Sequence, residues 1–184
     1  MRGVTWREEA PVPLIDLRLL HVSHVGFDGK VHGGELIVHE AIATLTLEIF
    51  ECLYMARFPI EKMRLVHTYG GDDEASMSDN NSSAFNARPL TGQSTGWSKH
   101  SYGIAIDINP VQNPYVMSKG CLPPEGERYV DRTADHPGLI RRGNICHKAF
   151  TDRGFAWGGD WTDIQDYHHF ELPLPAIGHH PVQS

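Results

Sequence analysis

No stretch of this chain approaches the roughly 20 apolar residues that a helix needs to cross a bilayer. The opening MRGVTWREEAPVP has no apolar stretch of the secretory kind. Either the chain is not exported by that route or its leader lies outside this sequence. Basic residues are sparse and unclustered, and the formal charge is -7. Nucleic acid is therefore excluded as the main partner, because phosphate backbones are bound through Lys and Arg clusters. Cysteine is scarce too. Cys52, Cys121 and Cys146 are widely spaced and odd in number. They suit neither a disulfide framework nor a CxxC zinc knuckle, and read as idle or buried thiols. Repeats and low-complexity blocks are absent.

The chain has 184 residues, 40% hydrophobic and 21% charged, an ordinary globular balance with room for one core. Its 18 glycines and 12 prolines predict a loop-rich domain, and its 12 histidines exceed what composition leads one to expect. Residues 1–14 read as an extended arm, 15–174 as the folded domain and 175–184 as a proline-rich tail. Alternation predicts a strand over 17–26, with Leu17, Leu19, His21, Ser23 and Val25 on one face and Arg18, Leu20, Val22 and His24 on the other. Asp28-Gly29 marks a turn. A short segment, 35–39, follows. Residues 40–57 form the clearest helix, with Ile42, Leu45, Ile49, Leu53 and Ala56 as its buried stripe, and Pro59 ends it. Further strands are predicted over 60–69 and 104–109, a helix over 138–152, and short strand pieces around Gly158-Gly159. Two long loops, 70–98 and 110–137, separate them. The first is expected to be ordered, because Phe85, Trp97 and the Arg88-Pro89 pair are costly to leave loose.

Chemistry concentrates in two places. In SKHSYGIAIDINP, a strand puts Ile104, Ile106 and Ile108 on the core face. Gly103, Ala105, Asp107 and Asn109 lie on the other. Two nearly absent side chains beside a carboxylate leave space for a metal and a substrate. A turn near Gly103 can fold His100 back towards Asp107. In WGGDWTDIQDYHHFEL, a histidine supplies a third ligand. A catalytic zinc site takes three protein ligands and keeps one position open, and zinc brings the pKa of a water towards neutrality. Asp166 then stands close enough to act as general base. His168 and His169 compete for the ligand role, and alternation alone does not choose between them.

Ser98-Lys99-His100-Ser101-Tyr102-Gly103-Ile104-Ala105-Ile106-Asp107 resembles the SxHxxGxAxD motif of the M15 metallopeptidases. These are D-alanyl-D-alanine carboxypeptidases, dipeptidases and L-alanyl-D-glutamate endopeptidases related to the hedgehog signalling domain. Asp166-Tyr167-His168-His169-Phe170 is similar to the family's acidic-x-x-His-aromatic ending. NNSSAFNARPLTG and WGGDW extend the likeness over roughly residues 15–172. The resemblance implies Zn2+ held by His100, Asp107 and His169, a general base at Asp166, and a substrate-facing Arg88 whose guanidinium can grip a carboxylate or an oxyanion. It implies support from Ser98. It also implies an α+β, hedgehog/DD-peptidase-like fold, a small antiparallel sheet with packed helices. Many relatives carry Glu where this chain has Asp166, a shorter reach.

The expected activity is hydrolysis of peptide bonds in cell-wall peptidoglycan, of D,D-carboxypeptidase or L-Ala-D-Glu endopeptidase type. It would act outside the cytoplasm or on release at phage lysis. The alternative is a non-catalytic zinc-containing domain that binds wall peptide or a protein partner. Glu171 and Asp163 are rival carboxylates for the base. Trp97, Trp157 and Trp161 are expected to pack the core rather than line the cleft. Asp72-Asp73-Glu74 reads as a solvated acidic loop. Asn80-Asn81-Ser82 reads as loop structure with asparagines bonding local backbone, its N-x-S pattern being chance. His179-His180 reads as a surface doublet.

Overall fold

The Asp-Gly turn organises the first third of the molecule. In a computed structural model, which describes residues 1–88, 90 and 96–173, Gly29 takes φ 73° and Lys30 N–H donates to Asp28 Oδ1 at 2.9 Å. This closes a hairpin of β1 (Leu17–Val25) and β2 (Val31–His39), antiparallel from Leu17↔His39 to Val25↔Val31. The second strand is thus longer than the 35–39 segment expected. Leu20, Val22 and His24 are buried, whereas Leu19, His21 and Ser23 are exposed, as period-2 alternation requires.

Helix α1 (Glu40–Met55) starts where His39 Nδ1 accepts from Ala41 N–H at 3.1 Å. Its buried stripe is Ile42, Thr46, Ile49, Phe50 and Leu53. Thr46 and Phe50 therefore replace Leu45 and Ala56 of the sequence reading. Thr46 can be buried because its hydroxyl donates to Ile42 O at 2.8 Å. This stripe joins Leu36, Val38, Ile104, Ile106, Ile108, Phe150 and Phe170 in one core.

The strand expected over 60–69 is a correction. Only β3 (Lys62–Met63) is extended, and Val66–Tyr69 is a 3-10 turn. The acidic run is not merely a solvated loop: Asp72 caps α2 (Asp73–Ser78), accepting from Ala75 N–H at 3.1 Å. β4 (Asn81–Ser82) pairs in parallel with β3. The asparagines reach far beyond local backbone. Asn81 accepts from Arg64 N–H at 2.7 Å, and Asn80 accepts from Val111 N–H at 2.9 Å.

Next comes β5 (Ala105–Asp107), shorter than the 104–109 strand expected. The 110–137 loop contains a hairpin of β6 (Tyr115–Met117) and β7 (Gly120–Leu122). The helix expected over 138–152 is only α3 (Ile145–Thr151), which begins at its Asn144 cap. Gly143 at φ 83° breaks the chain before it. β8 (Ala156–Trp157), β9 (Gln165–Asp166) and β10 (His169–Glu171) complete the fold. Instead of one small sheet, the described residues form four: β1-β2, β5-β10-β8, β3-β4 and β7-β6-β9. The architecture is α+β.

The first residues do not extend as an arm. Trp6 Nε1–H donates to Val12 O at 2.9 Å, and Val12 packs with Leu17, Ile37, Phe85 and Ala87 in a second cluster. Pro89 and the tail doublet His179-His180 lie outside the described residues. Among those described, no helix is long and apolar enough to cross a membrane.

Candidate metal centre

Gly103 decides how His100 reaches Asp107. Ser98 caps the turn Lys99–Tyr102, its Oγ accepting from His100 N–H at 3.3 Å. Gly103 then reverses the chain at φ 69°, a conformation that favours glycine. A Cβ there would also sit 2.7 Å from the backbone nitrogen of His39. The His100 ring returns over β5. Asp107 stands on β5 directly opposite His169 on β10, so the two side chains share one face of the sheet.

Three buried side chains converge. His100 Nε2 lies 3.1 Å from Asp107 Oδ2, His169 Nδ1 lies 3.0 Å from Asp107 Oδ1, and the two nitrogens are 3.2 Å apart. The rings are oriented from behind. His100 Nδ1–H donates to Ala84 O at 2.5 Å, and His169 Nε2–H donates to Glu171 Oε2 at 3.2 Å. Each imidazole therefore turns its other nitrogen inward, the orientation expected of a metal-ligating histidine.

The carboxylates favour positive charge at this point. Burial opposes charge on His169, yet Asp107 and Glu171 outweigh it and raise its pKa to about 10. Burial also opposes charge on Asp107, yet His100 and His168 hold its carboxyl well below the ordinary carboxylate range. A metal ion fits the same need. Around a tetrahedral zinc with bonds of about 2.0–2.1 Å, ligand atoms sit roughly 3.3 Å apart; here one ligand atom from each of the three side chains lies within 4.8 Å of the others, and the two imidazole nitrogens are 3.2 Å apart. Among the described residues no other group of His, Cys, Asp and Glu converges in this way.

The histidine doublet splits as strand geometry requires. His168 Nδ1–H donates to Asn113 O at 2.8 Å, and its Nε2 lies 3.0 Å from Asp166 Oδ1 and 3.9 Å from Asp107 Oδ2. Burial opposes its charge, but Asp166 and Asp107 outweigh burial and raise its pKa to about 9. A buried imidazole thus stands between the expected base and an expected ligand. The doublet was its only trace in the sequence.

Asp166 lies on β9, paired with β6. Its buried Oδ1 meets His168 Nε2 as an ion pair at 3.0 Å rather than in an aligned hydrogen bond. The strand rests on the Trp157-Gly158-Gly159 turn. Trp157 Nε1–H donates to Tyr167 O at 2.9 Å, and a Cβ on Gly158 would come within 2.6 Å of Asp166 O. Of the tryptophans, Trp157 belongs to the core and Trp97 packs on the second cluster. Trp161 departs from the core-packing expectation, its ring standing 5.5 Å from that of His169. Of the rival carboxylates, Glu171 bonds His169 and Asp163 is exposed.

Arg88 is held twice. Its guanidinium pairs with Asp73 at 2.7 Å. Its backbone is clamped by the buried Ser101, whose Oγ accepts from Arg88 N–H at 2.9 Å and donates to Arg88 O at 2.8 Å. Sequence reasoning missed both partners. Arg88 and Asp166 line one cleft of about 300 Å³ with Asp73, Met77, Tyr115 and Leu122. Ser98 is buried and meets the centre through the backbone of His100. A larger hollow of about 550 Å³ opens beside the β6-β7 hairpin, among Val116, Cys121 and Val130. Nothing that converges on the centre lines it.

Comparison with known proteins adds one finding. Residues 91–172 match the family model of M15 peptidases described as D-alanyl-D-alanine carboxypeptidase. That segment holds His100, Asp107, Asp166 and His169, whereas Arg88 and Asp73 lie upstream of it. No solved structure matches the chain.

Proposed function

We propose that this chain, an M15-family peptidase by the match across residues 91–172, hydrolyses peptide bonds of bacterial cell-wall peptidoglycan with zinc held by His100, Asp107 and His169. The observation that carries the reading is the convergence of those three side chains, each imidazole aimed by a hydrogen bond from behind. Zinc held there supplies Lewis-acid polarisation of a carbonyl and acidifies a water. Asp166 takes the proton of the attacking water and returns it to the leaving amine. His168 holds Asp166 from the buried side. Arg88, braced by Asp73, grips a substrate carboxylate or steadies the oxyanion. Such a substrate places the work at the cell wall, outside the cytoplasm or on release at phage lysis.

The test is metal content and activity on one purified sample. One zinc per chain should accompany release of free amine or D-alanine from isolated peptidoglycan, and a chelator should stop it. The product names the bond. Asp166→Asn should keep its zinc and lose turnover by roughly 100-fold or more. Zinc without release from any wall substrate would favour a binding domain instead. Wild-type turnover in Asp166→Asn would remove Asp166 as the base.

A further inference from the structure

We propose that Tyr115 is a catalytic residue of this cleft, its phenol hydroxyl donating a hydrogen bond to the scissile carbonyl oxygen as that oxygen gains negative charge. The inference rests on the peptidase reading above and adds a residue outside both sequence motifs.

Three observations carry it. Tyr115 on β6 is the direct cross-strand partner of Asp166 on β9. Directly paired residues project on the same face, with Cβ atoms about 4.5–5.5 Å apart. Both also line the 300 Å³ cleft that Arg88 lines. Finally, the Tyr115 hydroxyl makes no hydrogen bond with the described residues. Tyr69, by contrast, donates to Asp79 at 2.6 Å. A half-buried phenol ordinarily finds a partner, and here the open side is the cleft.

The position is also fixed. β6 is the middle strand of its sheet, between β7 and β9. Tyr115 faces Leu122 on one side and Asp166 on the other, and Tyr167 N–H donates to the adjoining Pro114 O at 3.3 Å. A base must lie within reach of the water that attacks the carbonyl. A donor fixed beside that base on the same face therefore lies near the reacting carbonyl. Burial and the neighbouring Asp166 raise the phenol's pKa, so it keeps its proton at neutral pH. Asp166 can only accept, and Arg88 brings charge already shared with Asp73. Tyr115 adds a neutral donor, the kind of group that stabilises a tetrahedral oxyanion at little reorganisation cost.

The test is Tyr115→Phe, which removes the hydroxyl and keeps the ring, assayed as the zinc-loaded full chain on a wall peptide that the wild type cleaves. We expect kcat to fall on the order of 100-fold, with KM, zinc content and thermal unfolding close to wild type. Affinity for a phosphinate peptide, tetrahedral at the reacting atom, should fall with kcat. Affinity for the uncleaved peptide, measured in an Asp166→Asn background, should not. An unchanged kcat, or a raised KM with kcat intact, would overturn the proposal and leave the peptidase reading standing. If the wild type cleaves no wall peptide, both fall. Should phenylalanine disturb the strand, replacing Tyr115 by a difluorotyrosine keeps the shape and lowers the phenol pKa. The alkaline limb of kcat should then move to lower pH, and an unmoved limb would overturn the proposal.

Discussion

Glu171 should control zinc affinity without taking part in proton transfer. It stands two residues after His169, with its Oε2 3.2 Å from His169 Nε2. That bond fixes which nitrogen of His169 faces the centre, and the carboxylate makes the ring a better donor to a metal. Loss of such a partner costs roughly 10- to 100-fold in metal affinity, or about 1.4–2.7 kcal/mol. The carboxylate's side chain is 21% exposed, so solvent replaces part of what is lost. Glu171→Gln keeps an acceptor but not the charge and should sit near the tenfold end. Glu171→Ala also frees the ring to rotate and should approach 100-fold. The assay is competition for zinc against a chromophoric chelator, with turnover measured at saturating zinc. Turnover of the saturated variants should stay within several-fold of wild type. Wild-type zinc affinity in both variants would refute the orientation argument. A collapse of turnover at unchanged affinity would make Glu171, rather than Asp166, the base.

Gly158→Ala should damage the site from below. The new Cβ would come within 2.6 Å of Asp166 O and 3.3 Å of His169 Cβ, so β9 must shift. Overpacking of this kind costs about 1–3 kcal/mol. Thermal unfolding and kcat should both fall, and a variant with wild-type kcat would show that the close approach is not needed. A pH effect on stability follows from His24, which is buried and has a pKa lowered by burial and by His32, against a raising contribution from the backbone at Glu61. The unfolded chain therefore binds a proton there more readily than the folded one, and this stability, full above about pH 6.5, is lost as pH falls below it. Urea midpoints at pH 7.5 and 5.0 should drop less in His24→Gln than in wild type, and equal drops would refute the assignment.

How far the sequence could be read depended on where each hydrogen bond finds its partner. The hairpin and α1 were legible because their signals are local: alternation over 17–25, an Asp-Gly turn, then apolar residues at helical spacing. Residues 60–69 carry apolar residues at strand-like intervals, yet only Lys62 and Met63 pair, and only with Asn81 and Ser82. There the side chain of Asn81 supplies bonds to both Arg64 N–H and Arg64 O. Nothing in a propensity pattern marks an asparagine as a substitute strand. Residues 138–144 were misread as helix because Leu139 and Ile140 are apolar. They are buried through turns instead. Ile140 N–H donates to Asn113 Oδ1 at 2.7 Å, and Gly143 at φ 83° was the available signal against a helix.

The same distinction runs through the site. His100 and Asp107 are linked by a short turn, an αL glycine and one strand, so the eight residues from His100 to Asp107 carry their geometry. Alternation left His168 and His169 open and only the motif resemblance pointed to His169; the β5-β10 register sets His169 against Asp107 and gives His168 O to Ile108 N–H at 3.0 Å. The supports behind them were illegible for a physical reason. Ala84 O and Asn113 O are backbone carbonyls, and a carbonyl has no residue identity to read. Asp166 joins both kinds. An aspartate reaches one methylene less far than a glutamate, so in the role proposed for Asp166 the placement of its backbone sets its reach. Gly158 permits that placement, since any Cβ would collide with the carbonyl of Asp166 itself. On the role proposed for Asp166, the short side chain and the bare glycine beneath it act together, and added length at 166 should relax the demand at 158. Asp166→Glu combined with Gly158→Ala should therefore recover more turnover than the product of the two single losses allows. Strict multiplicativity of the losses would separate the two residues.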